Sequence, residues 1–330
     1  MEDKVRWGVM GCARIARNWV LPALQQCASG TLWAVASRTL ETAQACATAY
    51  GITRAYGSYD ALLADPDVEA IYLPLPNHLH KPWAIAALRA GKHVLCEKPI
   101  ALNAAEAREM EAVSRETNRL LAEGFMYRHS PFMRQVLEIV QRGQLGELRL
   151  MHTSFSFTSP DLPTNIHLQA EAGGGCLYDI GCYAIHVQRL LAGREPRQVW
   201  AHQIVSEKHG VDIACAGTLD FDGIYGTFEV SYDAYRTNSM RIVGTNGVLQ
   251  APEGFVPRNE EASLILQTGH MVERLVPPPA NPYLLELEDF SAAVRGLHPL
   301  LGASAPLDAN MRVLDACLAS AQSDKPVSLG

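Results

Sequence analysis

The sequence predicts an α/β protein of two domains: an N-terminal doubly wound parallel sheet and a C-terminal α+β domain with a large, open, mostly antiparallel sheet. Three observations support this prediction. The 330 residues exceed what one hydrophobic core usually holds. Short apolar runs alternate with helical patterns over residues 1–125, which is typical of parallel strands joined by helices. Strand patterns then follow one another between residues 198 and 276, which favours an antiparallel sheet.

Composition narrows the functional classes. The formal net charge of −7 argues against a nucleic-acid-binding protein, which needs a basic face. No run approaches the ~18 uncharged apolar residues of a membrane span, and the N-terminus has no signal-peptide pattern. The eight cysteines lack paired spacing, which indicates buried free thiols rather than disulfides or a metal site. We therefore expect a cytoplasmic protein with no membrane, nucleic-acid or metal partner.

The first strand, Val5–Met10, runs directly into a turn beginning at Gly11, and a helical pattern follows to Leu24. A strand, a glycine turn and a helix are the context of a dinucleotide-binding fingerprint, because the turn lets backbone N–H groups approach a pyrophosphate. Ala13 and Ala16 replace the second and third glycines, so a plain strand–helix turn is the alternative. The candidate pyrophosphate contacts are Gly11, Cys12, Ala13, Arg14 and Ile15.

The second strand, residues 31–36, ends in Ser37 and Arg38. An NAD enzyme commonly carries an acid there to hold the ribose 2′-hydroxyl. Arg38 offers instead a planar, charge-assisted fork for a phosphate. The sequence therefore favours NADP over NAD, and a solvated surface arginine is the alternative.

Two further strand ends carry polar residues. Residues 68–73 form a strand that stops at Pro74, and the stiff loop that follows holds Asn77 and His80. His80 is expected either to face a ligand or to cap the helix over residues 82–90. The strand over residues 93–96 delivers Glu97 and Lys98, and a lysine there can protonate or polarise a substrate oxygen. An exposed Lys98 beside a salt-bridged Glu97 is the alternative.

The second half begins with a helix over residues 130–142 and a strand over 148–157. In the long polar loop 159–172, Asn165 and His167 are candidate substrate contacts, although a mobile or interface segment is the favoured interpretation. Further strands are predicted at 198–206, 213–221, 225–232, 239–243, 262–267 and 272–276, and helices at 284–297 and 307–323. A large sheet with helices on one face needs cover on the other, so we expect a homo-oligomer, a dimer or tetramer formed through this sheet.

Three consecutive glycines, residues 173–175, precede a helical pattern that runs to about residue 191 and stops at Gly193. Asp179, Tyr183 and either His186 or Val187 share one face of this helix, because residues four apart are stacked neighbours. The pattern predicts an acid and a phenol in a functional site. A dipole-matched aspartate beside a packed tyrosine is the alternative.

Taken in order, these motifs resemble the glucose–fructose oxidoreductase and inositol dehydrogenase (GFO/IDH/MocA) family. The resemblance rests on the Gly11 turn, residues 76–80, Glu97-Lys98-Pro99, residues 126–128, and residues 173–183. It is strongest to the branch of dihydrodiol dehydrogenase and NADP-dependent xylose dehydrogenase, which carries a tyrosine four residues after the aspartate. The resemblance implies an NADP-binding Rossmann domain over residues 1–125 and a substrate-binding and oligomerisation domain over 126–330.

The resemblance also implies roles for individual residues. Lys98, Asp179 and Tyr183 form the catalytic group, Glu97 meets the cofactor near its nicotinamide ribose, and Tyr127 and Arg128 are candidate substrate contacts. The further cofactor contacts are Pro74, Asn77, His80 and Lys98. The implied activity is hydride transfer between NADP(H) and a CH–OH or C=O carbon of a cyclic sugar, polyol or dihydrodiol. A nucleotide-linked ketosugar reductase and a non-catalytic cofactor sensor are the alternatives.

Overall fold

The computed structural model describes residues 4–160, 165–252, 254, 262–302 and 305–329. The chain forms two compact units, Met1–Met126 with Asn281–Asp308, and Tyr127–Ala280 with Ala309–Gly330. The first unit's first segment ends at Met126, one residue after the predicted end of the N-terminal domain at residue 125. The prediction that residues 126–330 form one domain is corrected for Asn281–Asp308, which belongs to the first unit.

The first unit is built on a six-stranded parallel sheet in the order β3-β2-β1-β4-β5-β6. Its strands are β1 Val5–Met10, β2 Gly30–Ala36, β3 Arg54–Tyr56, β4 Ala70–Leu73, β5 His93–Glu97 and β6 Leu121–Gly124. The chain builds the sheet outward from β1 to β3 on one side and then from β4 to β6 on the other side. This is the doubly wound arrangement that the sequence predicts, and in such sheets the ligand crevice lies at the carboxyl ends of the strands.

The strands of this sheet are joined by helices with local start and stop signals. The helices are α1 Leu21–Gln26, α2 Leu40–Tyr50, α3 Tyr59–Leu63, α4 His80–Arg89 and α5 Ala104–Thr117. Thr39, Ser58 and Asn103 each accept a backbone N–H in the first turn of α2, α3 and α5, which satisfies donors that a helix start leaves unpaired. Gly51 ends α2 in a left-handed conformation.

The second unit holds a nine-stranded sheet in the order β14-β13-β12-β11-β7-β10-β9-β8-β15. It begins with α6 Pro131–Gln141 and includes α7 Cys182–Ala192. Among the described strands of this sheet, only β7 and β10 pair in parallel, so the predicted mostly antiparallel sheet is confirmed. The strands are β7 Leu148–Ser156, β8 Gln198–Val205, β9 Asp212–Asp220, β10 Tyr225–Ser231, β11 Thr237–Gly244, β12 Gly247–Ala251, β13 Leu264–Thr268, β14 Met271–Leu275 and β15 Val327–Ser328.

The last two helices belong to different units. In α8, Pro282–Val294, Phe290 packs its ring 5.3 Å from that of Trp7, and the Ser291 hydroxyl accepts a hydrogen bond of 3.0 Å from the Trp7 indole. These contacts put α8 in the core of the first unit and explain why the predicted boundary fails there. In α9, Ala309–Ser323, the Ser320 hydroxyl accepts the backbone N–H of Ala201 on β8.

Three properties of the described residues bear on function. All eight cysteines are free thiols, seven of them buried. Among the residues that the structure describes, no helix combines the length and apolarity that crossing a membrane requires. The same residues contain no cluster of three or more histidine, cysteine, aspartate or glutamate side chains that could hold a metal ion.

Candidate active site

The turn after β1 is shaped by a glycine. Gly11 has φ +107°, a conformation that side chains rarely adopt, and a Cβ there would lie 3.0 Å from Leu75. Its N–H donates to the carbonyl of Ala36 at 2.8 Å, which ties the turn to the end of β2. A wide helical turn, Ala16–Val20, then leads into α1. A tight backbone turn at the start of a helix fits a dinucleotide pyrophosphate, because amide N–H groups and the helix dipole favour an anion.

Cys12 in this turn is a half-buried thiol with an unusual environment. Interaction with the Cys46 thiol on α2, with help from Ser37 and the charge of Arg17, lowers the pKa of Cys12 to about 7 against the opposing effect of burial. The Cys12 sulfur also lies 3.9 Å from the carbonyl oxygen of Thr42. The turn therefore carries a thiol whose pKa is lowered from the ordinary value of a cysteine.

Ser37 and Arg38 follow β2 as predicted. Ser37 is buried, and its backbone N–H donates to the carbonyl of Tyr56 at 3.1 Å, so the end of β2 is fixed against β3. Arg38 is exposed. An exposed guanidinium at the carboxyl end of the second strand fits a phosphate on the cofactor ribose.

His80 adopts neither of its predicted roles. It is fully buried in the first turn of α4, and its two ring nitrogens lie 2.8 Å from the carbonyl oxygen of Pro99 and 2.7 Å from that of Leu75. Burial lowers its pKa to about 4. The assignment of His80 as a cofactor contact is therefore corrected: its ring holds the Pro74–Asn77 loop beside the segment that follows β5. Pro74 is buried in this loop, whereas Asn77 is half-buried.

The end of β5 carries Glu97 and Lys98. The Tyr72 hydroxyl donates to Glu97 Oε1 at 2.6 Å, and the backbone N–H of Lys98 lies 3.3 Å from Glu97 Oε2. Burial, and next the charge of Glu97, raise the pKa of Tyr72 well above its usual value, so Tyr72 remains a donor. Lys98 is half-buried rather than exposed. Sequence reasoning missed Tyr72, because β4 is a continuous buried run with no polar signal.

In the glycine-rich segment of the second unit, close packing against Asp212 requires a glycine at position 175. Gly175 has φ +121°, and a Cβ there would lie 2.1 Å from an oxygen of the Asp212 carboxylate. Asp212 Oδ2 accepts the backbone N–H of Leu177 at 2.7 Å and the thiol of Cys176 at 3.0 Å. Burial raises the pKa of Asp212. This carboxylate fixes the start of the helical segment that carries Asp179.

Asp179 lies in a wide helical turn, Leu177–Gly181, that leads into α7. Its Oδ2 accepts a hydrogen bond of 2.8 Å from the hydroxyl of Tyr232, and its Oδ1 lies 3.7 Å from Nδ1 of His167. Asp179 therefore has side-chain partners from two other segments of the chain. An aspartate that only complements the dipole at a helix N-terminus would not require such partners. Sequence reasoning missed Tyr232, although it continues the inward-facing alternation of Phe228 and Val230 on β10.

Tyr183 lies in the first turn of α7, one helical turn after Asp179, and is 6% exposed. Its ring lies edge-on to that of Tyr127, with centroids 5.8 Å apart, and 6.2 Å from that of Phe155. Tyr127 is fully buried, and its hydroxyl lies 2.5 Å from Nδ1 of His186. The assignment of Tyr127 as a substrate contact is therefore corrected: burial removes it from any ligand, and it packs against Tyr183.

Asn165 is held within its own loop. Its side-chain N–H groups donate to the Ser159 hydroxyl and the Pro160 carbonyl, and its oxygen accepts the N–H of His167. These bonds make Asn165 an organiser of the loop, and its assignment as a substrate contact stays a prediction. Arg128 is half-buried. Residues 161–164 of this loop lie outside the described residues.

The two units each have the parts of a known class of enzyme. A parallel sheet with a glycine turn after its first strand defines a dinucleotide-binding domain, and the second unit adds an aspartate and a tyrosine behind a glycine-rich segment. Residues 5–125 match the model of an oxidoreductase family with an NAD-binding Rossmann fold, and residues 133–250 match the GFO/IDH/MocA C-terminal domain. The chain belongs to the GFO/IDH/MocA family of oxidoreductases.

Several relatives are similar over most of the chain. The D-xylose 1-dehydrogenase (NADP⁺) 2 of Haloferax volcanii is 36% identical, with 98% of this chain and 99% of the relative covered. The trans-1,2-dihydrobenzene-1,2-diol dehydrogenase of Mus musculus is 34% identical over 77% of this chain and 76% of the relative. The crystal structure of a 3-ketoreductase from Actinomadura kijaniata, in complex with NADP and TDP-benzene, superimposes with a TM-score of 0.90 at 32% identity, covering 96% of this chain and 98% of that one. These findings confirm the family and the branch that the motifs indicate.

Proposed function

We propose that this protein is an NADP(H)-dependent oxidoreductase that transfers a hydride between the nicotinamide and a CH–OH or C=O carbon of a cyclic sugar, polyol or dihydrodiol. The observation that carries the proposal is the placement of Tyr183 one helical turn after an Asp179 whose carboxylate is held by a buried phenol. The xylose dehydrogenase and dihydrodiol dehydrogenase relatives support the substrate class.

The residues of the first unit fit the cofactor. The backbone of residues 11–15 would hold the pyrophosphate, Ser37 and Arg38 the ribose phosphate, and Asn77 with Glu97 the nicotinamide end. When bound, the nicotinamide supplies the hydride acceptor or donor. We propose that Tyr72 keeps Glu97 oriented for this contact, since its hydroxyl donates to the carboxylate at 2.6 Å.

We propose that Tyr183 moves the proton and that Lys98 and Asp179 assist it. In oxidation Tyr183 removes the hydroxyl proton of the substrate, and in reduction it returns a proton to the forming alkoxide. A phenol ionises near pH 10 in water, and an adjacent ammonium favours the phenolate, which is the part that we propose for Lys98. Asp179 accepts a hydrogen bond from a substrate hydroxyl and so orients the reacting carbon.

The experiment is a turnover panel with a matched control. Purified protein is assayed with NADP⁺ against D-xylose, D-glucose and a trans-dihydrodiol, and with NADPH against cyclic ketones and a nucleotide-linked ketosugar. We expect turnover with the unlinked sugars or diols, and a fall in kcat of about 10²–10⁴ for Tyr183→Phe, the range for general acid–base groups. Tyr235→Phe, at a 90% exposed tyrosine, is the control.

Three results would contradict this proposal. Turnover of the nucleotide-linked ketosugar alone would assign the reductase alternative. Binding of NADPH without turnover of any compound would assign a cofactor sensor. A Tyr183→Phe variant within a factor of three of the parent would remove Tyr183 from the proton transfer.

We further propose that the protein is a homo-oligomer formed through the open face of the nine-stranded sheet. Contacts of β8 with Ser320 of α9, and of β10 with Gln188 of α7, put these helices on one face of the sheet. The other face exposes large apolar side chains, including Leu150, Trp200, Ile204 and Tyr225, and exposed apolar patches of this kind mark interaction surfaces. Light scattering of Ile204→Glu, which should show monomer where the parent shows dimer or tetramer, tests this proposal.

The free thiols suggest where the protein works. Eight unpaired cysteines fit a reducing compartment, so we propose a cytoplasmic location. Fractionation of cells that express the tagged protein tests it.

A further inference from the structure

We propose that Tyr232 is a positioning residue of the reaction: its hydroxyl holds the Asp179 carboxylate in the one orientation in which it binds a substrate hydroxyl. This inference rests on the proposed function, because it assumes that Asp179 contacts substrate. Nothing in the sequence motifs includes Tyr232, which directly follows the end of β10.

The first support is the hydrogen bond itself. The Tyr232 hydroxyl donates to Asp179 Oδ2 at 2.8 Å, and it lies 3.3 Å from the carbonyl oxygen of Gly175. Both acceptors belong to the glycine-rich segment and the turn that follows it. A bond from a phenol to a carboxylate is charge-assisted, and such bonds are roughly twice as strong as neutral ones.

The second support is the rigidity of the donor. Tyr232 is 4% exposed, and its ring packs 5.5 Å from that of Phe157. Burial, and next the charge of Asp179, raise the pKa of Tyr232 well above its usual value. The phenol therefore stays protonated at any working pH, so it donates a hydrogen bond without taking part in proton transfer.

The third support is the rigidity of the acceptor. The backbone N–H of Asp179 donates to the carbonyl of Gly175 at 3.1 Å, and the Asp212 carboxylate holds the N–H of Leu177 at 2.7 Å. The main chain is thus fixed at the aspartate and two residues before it. Side-chain rotation of Asp179 is the freedom that remains. The Tyr232 hydroxyl restrains it through the 2.8 Å hydrogen bond to Oδ2, while Nδ1 of His167 lies farther away, 3.7 Å from Oδ1.

The magnitude follows from what orientation contributes to catalysis. A misplacement of about 1 Å in a group that orients substrate can cost about 10²-fold in rate. Loss of the Tyr232 donor leaves the carboxylate in place but free to rotate, so we expect a smaller loss, about 10-fold in kcat/KM. The Kd for NADPH should stay within twofold of the parent value, because the side-chain contacts of Tyr232 described above are with Asp179, Gly175 and Phe157, none of which is assigned to the cofactor.

The experiment is a double-mutant cycle of Tyr232→Phe and Asp179→Asn. Its assay pairs NADP⁺ with the panel sugar or diol that turns over fastest. Asp179→Asn alone should lower kcat/KM by at least about 10²-fold, and adding Tyr232→Phe to it should change kcat/KM by less than twofold, because a residue that acts through Asp179 has nothing left to position. Tyr235→Phe is the matched control, since Tyr235 lies three residues after Tyr232 and is 90% exposed.

A second variant covers the case in which Tyr232→Phe does not fold. Asp179→Glu keeps the charge but extends the side chain by one methylene, which moves the carboxylate away from the Tyr232 hydroxyl. We expect it to lose nearly as much kcat/KM as Asp179→Asn. Full activity of Asp179→Glu would overturn the proposal.

The outcomes separate this inference from the proposed function. If Asp179→Asn is impaired and Tyr232→Phe costs the same factor in both backgrounds, Tyr232 only supports the fold and the inference fails alone. If Asp179→Asn retains parental activity, the catalytic assignment of Asp179 fails, and the inference fails with it.

Discussion

Removal of the Arg38 guanidinium should weaken the binding of NADP(H) and leave NAD(H) nearly unaffected. Arg38 follows the second strand of the parallel sheet, where a dinucleotide-binding domain reads the adenine ribose. The extra phosphate of NADP is the one group that distinguishes the two cofactors. Arg38→Ala therefore tests whether this residue reads that phosphate.

The size of the effect follows from the exposure of the side chain. A hydrogen bond to a charged group contributes about 1.5–3 kcal/mol when it is protected from water. Because Arg38 is exposed, water and salt screen the pair, and we expect about 1–2 kcal/mol, or roughly 5–30-fold in Kd. The preference of the parent protein for NADP(H) over NAD(H) should shrink below about pH 6, where the phosphate takes up a proton and loses part of its charge.

The assay is fluorescence titration of NADPH and NADH on the parent protein and on two variants. Arg89→Ala is the matched control, because Arg89 is another exposed arginine of the first unit, at the end of α4. We expect Arg38→Ala to raise the Kd for NADPH alone, and Arg89→Ala to change neither. Equal losses for both cofactors in Arg38→Ala would refute the argument, since a lost phosphate contact cannot weaken NADH.

Three further predictions concern a lysine, an aspartate and a thiol. Lys98→Met should lower kcat by about 10²-fold or more and move fast oxidation to higher pH, because an uncharged side chain favours a phenolate less than an ammonium does; kcat against pH measures both. Burial raises the pKa of folded Asp212, so the folded state holds that proton more tightly than the unfolded state, and stability should fall as the pH rises from about 4 through the raised value. The stability of Asp212→Asn should lack this part of the pH dependence. The measurement is the melting temperature of the parent minus that of the variant, followed from about pH 4 to 7. Alkylation of Cys12 by iodoacetamide should be half-maximal near its pKa of about 7, and Cys46→Ala should move that midpoint upward in a mass-spectrometric time course.

The parts of the site that the sequence predicts are those with a local signal. The Gly11 turn, Arg38 after β2, and Asp179 with Tyr183 on one helix each lie within a short stretch whose pattern has a physical meaning. The assignments of His80 and Tyr127 were wrong for a common reason. Both belong to the motifs, but burial, which no local pattern reports, directs their rings onto backbone carbonyls or another side chain.

The partners that orient the site come from far along the chain. Tyr232 is 53 positions from Asp179, and Asp212 is 35 from Leu177. Such pairs depend on strand register, which the sequence alone did not supply. Helix α5 was also absent from the predicted elements, although Asn103, which accepts the N–H of Glu106, is an ordinary helix-start signal.

The packing of α8 into the first unit has a consequence for biosynthesis. Trp7 and Ser291 are 284 positions apart, and at about 5–20 residues per second their synthesis is separated by roughly 15 to 60 seconds. During that interval the nascent parallel sheet lacks its last helix and leaves the Trp7 indole without its Ser291 acceptor. A fragment cut after residue 126 stays in that state permanently. Any attempt to exchange this domain between relatives therefore has to transplant two pieces of gene, the beginning and the stretch that encodes α8.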